Sequence, residues 1–304
     1  MDRTSPKPAT SQATSQATSP AKPATAAAAA KGTSSTSSTS SAGYRRAAAP
    51  APKKNSGPHW IKRLLARVPP LLPSACALCG AEGREILCAH CHKRFYTRQH
   101  RRCIQCAMPM PVTGKEVRCG ACLKDRPAFD ATIVATDYFA PSDQLALALK
   151  FGGDLRLAPL LARLIHDASR RNPVPGSDVA LPMPSLLAPV PLGRTRLQER
   201  GFNQALEIAK PLSQLMGLPL QPQLLERKKE TEAQSALPVG ARARNVRSAF
   251  ALPFATMDQV RGLHVGIVDD VMTTGATLNE VAIVLKRHGA RRVTNLVFAR
   301  TLPV

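Results

Sequence analysis

Two adjacent aspartates and three threonines lie within nine residues near the C-terminal end of this sequence. They belong to the stretch VGIVDDVMTTGATLNE, residues 265–280, in which an apolar run precedes Asp269 and Asp270. Carboxylates repel phosphate, but they suit sugar hydroxyls or a Mg2+ ion shared with a diphosphate. Hydroxyls and backbone N–H groups at the start of a helix instead stabilise an anion. The hydroxyls here are those of Thr273, Thr274 and Thr277. The stretch therefore predicts a divided site, with acids for a sugar and a hydroxyl-lined turn for its phosphate.

The elements that must position this site follow an α/β pattern. The predicted strands cover residues 130–139, 186–192, 263–269 and 291–300, and the predicted helices cover residues 142–151, 157–169, 203–215 and 277–289. Such alternation indicates a mostly parallel sheet with flanking helices, whose ligands bind at the carboxyl ends of the strands. We therefore expect Val265–Val268 to be a strand with Asp269 and Asp270 at its carboxyl edge, and Met272–Thr277 to form the turn into a helix. Gly275 would let the backbone close around a phosphate.

All eight cysteines lie between residues 76 and 122, in four C-x-x-C pairs. This spacing lets two sulfurs of a tight turn face one ion, and two such pairs complete a tetrahedral thiolate site. The pattern predicts two structural zinc sites, because a closed thiolate site leaves no position for a reacting water. The simplest grouping places Cys76, Cys79, Cys88 and Cys91 on one ion and Cys103, Cys106, Cys119 and Cys122 on the other. An interleaved grouping is also compatible with the sequence.

Disulfides and redox motifs are the alternatives for these cysteines. Four disulfides would need an oxidising compartment, and nothing in the sequence signals secretion. Redox C-x-x-C motifs occur singly beside a βαβ unit, not four in a row. Zinc and a cytoplasmic location are therefore favoured. The nearby His90, His92 and His100 are expected to be surface residues, since the cysteines already saturate two ions.

Positive charge is densest in the cysteine segment. Residues 59–128 carry 13 basic and 4 acidic residues, a net charge of +9 within the +22 of the whole chain. Here Phe95 and Tyr96 lie among cations, and rings among cations bind single-stranded nucleic acid by stacking and charge. Inward packing of one ring beneath a solvated basic face explains the pattern equally well. The cations concerned are Lys93, Arg94, Arg98, Arg101 and Arg102.

Composition divides the chain into three parts. Residues 1–58 are rich in Ala, Ser, Thr and Pro and poor in large apolar side chains, so we expect a disordered tail. A targeting segment is the alternative, but the tail has neither an apolar signal core nor an Arg-rich amphipathic pattern. Residues 59–128 form the predicted double zinc-binding module and residues 129–304 the α/β domain. Since no apolar run reaches the ~18 residues that a membrane helix needs, we expect no membrane span.

The acidic stretch resembles the phosphoribosyl pyrophosphate (PRPP) loop of type I phosphoribosyltransferases: four apolar residues, two acids, two variable residues, then T-G-[TAS]-T. The segments LALKFGGD (147–154), VPLGRTRLQERGFNQ (190–204) and QSALPVGARARNVRSAF (234–250) resemble blocks of the ComF family, which includes ComFC-like and GntX-like proteins. That family joins an N-terminal C-x-x-C zinc module to a phosphoribosyltransferase-like domain. The resemblance covers about Trp60–Val304 and implies a type I phosphoribosyltransferase-like fold for residues 129–304.

The resemblance also implies roles for individual residues. Asp269 and Asp270 would hold the ribose hydroxyls of PRPP, directly or through Mg2+, and would be the catalytic pair of an active enzyme. The 5-phosphate would be bound by Thr273, Thr274, Gly275, Ala276 and Thr277. The cations that would neutralise the diphosphate are Arg194, Arg196 and Arg200, in a loop after a predicted strand. Lys150 and either Arg242 or Arg244 are further candidates.

Two functions are compatible with these features. ComF-like proteins are associated with natural transformation and DNA uptake. That association implies a protein that binds PRPP or a related ribose 5-phosphate and handles single-stranded DNA, with a DNA-uptake helicase or other competence proteins as partners. The alternative is an active phosphoribosyltransferase that moves ribose 5-phosphate from PRPP to an unidentified base or amine.

Overall fold

The computed structural model describes residues 74–97, 100–111, 117–171, 181–228 and 248–302. The predicted disordered tail, residues 1–58, lies outside these ranges, and so do Arg98, Arg242 and Arg244. No helix within the described ranges combines the length and apolar composition needed to cross a bilayer.

The cysteine-rich segment consists of two copies of one small unit. In each copy the first cysteine pair lies in a turn and the second pair lies at the start of a short helix. The first unit comprises β1 (Ser74–Ala75), β2 (Glu82–Gly83) and α1 (Ala89–Tyr96), and the helix of the second unit is α2 (Gly120–Lys124). The same hydrogen bond closes both turns. The Cys76 N–H donates to the Ala81 carbonyl and the Cys103 N–H donates to the Met108 carbonyl, each at 2.8 Å.

The rest of the described fold is built on a four-stranded parallel sheet with helices and a short antiparallel strand pair. In chain order the remaining strands are β3 (Ala131–Asp137), β4 (Leu186–Pro189), β5 (Glu226–Arg227), β6 (Phe250–Ala251), β7 (His264–Met272) and β8 (Arg292–Arg300). The sheet has the order β3-β8-β7-β4, with every neighbouring pair parallel, whereas β5 and β6 form a separate antiparallel pair. The helices are α3 (Ser142–Lys150), α4 (Leu157–Ser169), α5 (Arg194–Arg200), α6 (Gln204–Met216) and α7 (Ala276–Arg287), with a 3-10 helix over Phe254–Val260. The sheet and its helices confirm the predicted α/β fold class.

Helices cover both faces of the sheet, which explains why β8 is buried along nearly its whole length. Because side chains alternate along a strand, Val297 packs on the α7 side with Val281, while Leu296 and Phe298 pack on the α4 and α6 side. Burying each such side chain contributes roughly 1.5–3 kcal/mol. Packing in these two apolar layers fixes β7 and β8 between the helices. It therefore also fixes the position of the acidic stretch, which lies in β7.

The two cysteine units pack on opposite faces of the sheet. Cys76 and Cys91 share an apolar cluster with the α4 and α6 side, whereas Cys103 and Cys106 share one with the α7 side. The first turn of the second unit, between Cys103 and Cys106, follows the outer edge of β3. There Thr132 donates its N–H to the Ile104 carbonyl (3.0 Å) and its hydroxyl to the Gln105 carbonyl (2.6 Å).

An ion pair also fixes the module to the sheet. Arg102 donates through both terminal nitrogens to the two carboxylate oxygens of Asp137, at 2.7 and 3.0 Å. Asp137 is the last residue of β3, and both side chains are mostly buried. A bidentate pair of this kind fixes orientation as well as distance, so the module is held to the same end of the sheet as the acidic stretch.

Candidate functional site

The two acids lie inside β7, which continues further than predicted. The strand was expected to end at these residues, but Val271 and Met272 still pair with Ala299 and Arg300 of β8. The Asp270 N–H donates to Asp269 Oδ1 at 2.9 Å. Continued pairing with β8 therefore holds the two carboxylates in place at the carboxyl end of the sheet.

The environment of the acids favours a cation or hydroxyl donors. Burial and the neighbouring Asp270 raise the pKa of Asp269 well above its usual range, and Lys150 opposes this shift. Asp270 Oδ2 is buried and has no hydrogen-bond partner among the described residues. Two crowded carboxylates with an unsatisfied oxygen fit a divalent cation or sugar hydroxyls.

The turn after β7 begins a helix in the predicted place. Gly275 has a left-handed φ of +83°, and α7 starts at Ala276. Thr274 Oγ1 accepts the Ala276 N–H at 3.3 Å. A Cβ at Gly275 would lie 2.5 Å from the Met272 Cε atom, which a flexible side chain could move away. Glycine is therefore favoured here mainly by the left-handed backbone angle.

A cavity of about 890 Å3 at the carboxyl end of the sheet brings most predicted site residues together. It is lined by Asp269, Asp270, Thr273, Thr274, Thr277, Lys150, Arg196 and Arg200. Three further predicted residues, Gly275, Ala276 and Arg194, are not part of this lining. The structure therefore places eight of these predicted residues around one space, while their roles stay predictions.

The arginine segment is a helix, not the predicted loop. Gly193 precedes α5 in an extended backbone conformation, with φ −66° and ψ 153°. Gly201 ends the helix with a left-handed φ of +77°. Arg196 and Arg200 are four residues apart and so lie on one face, which faces the cavity. Arg194 is on a different face and is exposed.

Sequence reasoning missed two further arginines that line the cavity, Arg227 and Arg300. Arg300 ends β8, and the carboxyl ends of parallel strands meet at one edge, so the predicted strand 291–300 contained the signal. Arg227 comes from β5, which is two residues long and has no periodic signal.

Arg300 connects the second cysteine unit to the threonine turn. Its Nε donates to the Cys106 carbonyl at 3.2 Å. The two hydrogens of its Nη1 are shared among the carbonyls of Met272 (3.1 Å), Thr301 (2.9 Å) and Thr273, so at least one of them is bifurcated. Since the side chain is almost entirely buried, one guanidinium satisfies carbonyls from three segments of the chain.

The cysteines are grouped sequentially. The four sulfurs of Cys76, Cys79, Cys88 and Cys91 lie within 4.8 Å of one another, and so do those of Cys103, Cys106, Cys119 and Cys122. In equivalent positions, the Cys88 N–H donates to Cys76 Sγ at 3.4 Å and the Cys119 N–H donates to Cys103 Sγ at 3.3 Å.

The chemistry of both groups fits a metal. Hydrogen bonds from the Cys106 side chain and from backbone N–H groups hold the pKa of Cys103 at about 4, although burial opposes this. Despite burial, backbone N–H groups lower the pKa of Cys76 to about 6. One sulfur in each group is therefore favoured as a thiolate, whereas burial raises the pKa of Cys91 and the neighbouring Cys103 sulfur raises the pKa of Cys106. Four sulfurs this close together need a cation if all are to ionise, and a set of four thiolates suits Zn2+.

The basic segment between the cysteine pairs turns one ring inward. Tyr96 is buried against the α4 side of the core, and Phe95 is partly buried beneath the Arg94 guanidinium. Arg101 is buried as well, and Arg102 is paired with Asp137. Of the two interpretations of this segment, the structure favours inward packing of one ring, Tyr96, and it shows that Arg101 and Arg102 are not part of an exposed basic face. Lys93 and Arg94 remain exposed on α1.

Family models match two parts of the chain. The double zinc ribbon domain matches residues 68–123, and the phosphoribosyl transferase domain matches residues 203–301. Both cysteine groups fall in the first match, and the acids and threonines of the cavity fall in the second. An adenine phosphoribosyltransferase from Thermoanaerobacter pseudethanolicus aligns over 49% of this chain and 83% of its own, with 14% identity and a TM-score of 0.28.

Curated relatives match over nearly their full length. The DNA utilization protein YhgH of Salmonella typhi is 34% identical over 237 residues, covering 76% of this chain and 99% of its own. YhgH of Escherichia coli strain K12 is 33% identical over 239 residues, with the same coverage. Competence protein F of Haemophilus influenzae is 30% identical over 211 residues, covering 68% of this chain and 87% of its own.

Proposed function

Because this chain belongs to the family of the DNA utilization protein YhgH and competence protein F, we propose that it binds PRPP or a related ribose 5-phosphate and handles single-stranded DNA during DNA uptake. The observation that carries the first part is the cavity, in which two acids, three threonines and three predicted cations meet. The proposal includes one zinc ion in each cysteine group, as the double zinc ribbon match supports.

Each part of the ligand has a complementary part of the cavity. The ribose hydroxyls donate hydrogen bonds to Asp269 and Asp270, and the turn around Thr274 binds the 5-phosphate with its hydroxyls and N–H groups. Arg196 and Arg200 neutralise a diphosphate. A Mg2+ ion bound by the acids together with the ligand would supply further positive charge at the diphosphate.

Replacing both acids with asparagine should abolish this binding. Hydrogen bonds to charged groups contribute ~1.5–3 kcal/mol each, and 1.4 kcal/mol is a factor of ten, so we expect about a 100-fold or greater loss. Isothermal titration calorimetry with PRPP and Mg2+ measures it for wild type and for Asp269→Asn with Asp270→Asn.

A matched variant controls for net charge. Asp125→Asn with Asp258→Asn removes the same two charges from exposed positions and should bind like wild type. If wild-type protein does not bind PRPP, or if the Asp269 and Asp270 variant binds it normally, the proposed ligand is wrong.

The same cavity supports transfer chemistry as a second function. Cations suited to a leaving diphosphate, Lys150, Arg196 and Arg200, line it beside the acids. In such a reaction a nitrogen of the acceptor forms a bond to the anomeric carbon while the bond to pyrophosphate breaks. Release of pyrophosphate from PRPP only when pooled bases are added would show this activity, and binding without release would restrict the protein to a binding role.

The proposed DNA contact is the exposed face of α1. Lys93 and Arg94 project from α1, whereas Tyr96, Arg101 and Arg102, which follow in the same segment, are buried or paired. Binding to phosphates releases counterions, so affinity should fall steeply with salt. We expect Lys93→Ser with Arg94→Ser to reduce the slope of log K against log salt by about 1.4, at ~0.7 per phosphate contact for single strands.

Fluorescence anisotropy with a labelled oligothymidylate, repeated at several salt concentrations, measures this slope. The control removes two exposed arginines elsewhere, Arg287→Ser with Arg291→Ser, and should keep the wild-type slope. Equal slopes for wild type and the α1 variant would show that DNA does not contact this face.

A further inference from the structure

One wall of the cavity carries an exposed aromatic ring. Phe151 directly follows α3, lines the cavity and is 70% exposed. Leu147, one helical turn earlier, lines the same wall and is 40% exposed. Large apolar side chains gain by leaving water, and most of the ring is uncovered, so this wall can receive another apolar surface.

Two cations link this ring to the acids. The Lys150 ammonium and the Arg200 guanidinium each lie 5.5 Å from the centre of the Phe151 ring. Both also face the carboxylates. Burial lowers the pKa of Arg200 and the nearby Asp270 opposes this shift, just as Lys150 opposes the rise in the pKa of Asp269. The ring is therefore next to the cations, and the cations are next to the acids.

The neighbours around this cavity match one class of ligand. The ring contacts the cations, the cations face the acids, and the threonine turn directly follows the acids in the chain. A nucleoside 5′-phosphate has a planar base at one end, a ribose in the middle and a phosphate at the other end. Stacking of a base on an aromatic side chain is worth ~1–3 kcal/mol, and cations beside the ring add to it.

We infer that the cavity binds an intact nucleoside 5′-phosphate, with the base stacked on Phe151, the ribose on Asp269 and Asp270, and the phosphate on the threonine turn. This inference rests on the proposed ribose 5-phosphate site and adds the base. The ligand is either a free nucleotide or the 5′-terminal nucleotide of a strand, since both present the same three groups.

Calorimetry with two probes tests the base contact. We expect wild-type protein to bind adenosine 5′-monophosphate about 5- to 150-fold more tightly than ribose 5-phosphate, which is the range that ~1–3 kcal/mol represents. Phe151→Leu should reduce the affinity for adenosine 5′-monophosphate to that for ribose 5-phosphate and leave the latter within about twofold. Phe151→Tyr should keep the preference, because a ring remains.

The exposed ring makes these variants easy to interpret. Since most of Phe151 is in contact with solvent, its replacement should leave the fold intact, and a thermal melt checks this. Phe254 is 91% exposed in the 3-10 helix, outside the cavity lining, so Phe254→Leu is the matched control and should bind both probes like wild type.

The outcomes separate the inference from the proposed function. If ribose 5-phosphate does not bind, the proposed function is wrong. If it binds but adenosine 5′-monophosphate binds no more tightly, or if Phe151→Leu weakens both equally, the base contact is wrong and the sugar-phosphate site stands. A 5′-phosphorylated oligoadenylate that competes as well as the mononucleotide identifies a strand end as the source. Weaker competition identifies a free nucleotide, and both results keep the base on Phe151.

Discussion

Arg300→Met should destabilise the protein by about 3–5 kcal/mol, because it removes the donor from four carbonyl oxygens at once. Those of Cys106, Met272, Thr273 and Thr301 would remain with one partner fewer in a largely buried region. The Thr273 carbonyl belongs to the turn proposed to bind phosphate, so affinity for ribose 5-phosphate should also fall. Urea unfolding followed by circular dichroism measures the first effect, and calorimetry measures the second.

Two variants distinguish this role from ordinary packing. Arg300→Lys keeps the charge but has fewer donors in a different geometry, so it should recover only part of the stability. Arg292→Met changes an arginine at the opposite end of the same strand and should cost less than about 1 kcal/mol. Wild-type stability together with wild-type ligand affinity in Arg300→Met would refute the connection.

Cys103→Ser should cost the protein one of two zinc ions and its cooperative unfolding transition. Structural zinc contributes roughly 10–16 kcal/mol in small peptides, which is as large as the ~5–15 kcal/mol stability of a typical domain. Cys103 is fully buried and packs in the core cluster of the α7 side. Metal analysis should find two zinc ions per wild-type chain and one per variant chain, and calorimetric melting should show the lost transition.

A comparison between the two cysteine groups sharpens this result. Cys79 in the first group is exposed, so Cys79→Ser should also cost one zinc ion but lower the melting temperature less than Cys103→Ser. Removing zinc with a chelator and then restoring it should recover the wild-type melt. Fewer than two zinc ions in the wild-type protein, or a Cys103→Ser variant that melts like wild type, would contradict the assignment.

The regular elements could be predicted because their signals are local. Apolar spacing identified α4 and α6 within a residue or two at each end, and the buried runs identified β7 and β8. The acidic stretch was placed correctly at the carboxyl end of the sheet, because strand, turn and helix follow each other directly in the sequence. What the sequence could not show is how far β7 continues, since Val271 and Met272 are strand residues only through pairing with β8.

The remaining errors concern residues whose partners are distant in sequence. Arg102 was grouped with surface cations because its partner Asp137 is 35 residues away. Stacking and inward packing were both open for Tyr96, and only the α4 side of the core, which is distant in sequence, decides for inward packing. The position of Arg300 at the end of a predicted strand was available from the sequence, but its role was not, because its partners are backbone carbonyls that no side-chain pattern identifies.

The covered edge of β3 also bears on how the protein behaves when metal is scarce. An uncovered strand edge is a template for pairing with another chain, and here the segment through Ile104 and Gln105, between two ligands of the second cysteine group, lies along that edge. Loss of that metal would release the cover together with the site. If zinc occupies this group, as proposed, its loss would expose the edge to pairing with other chains, and the ion would protect solubility as well as shape.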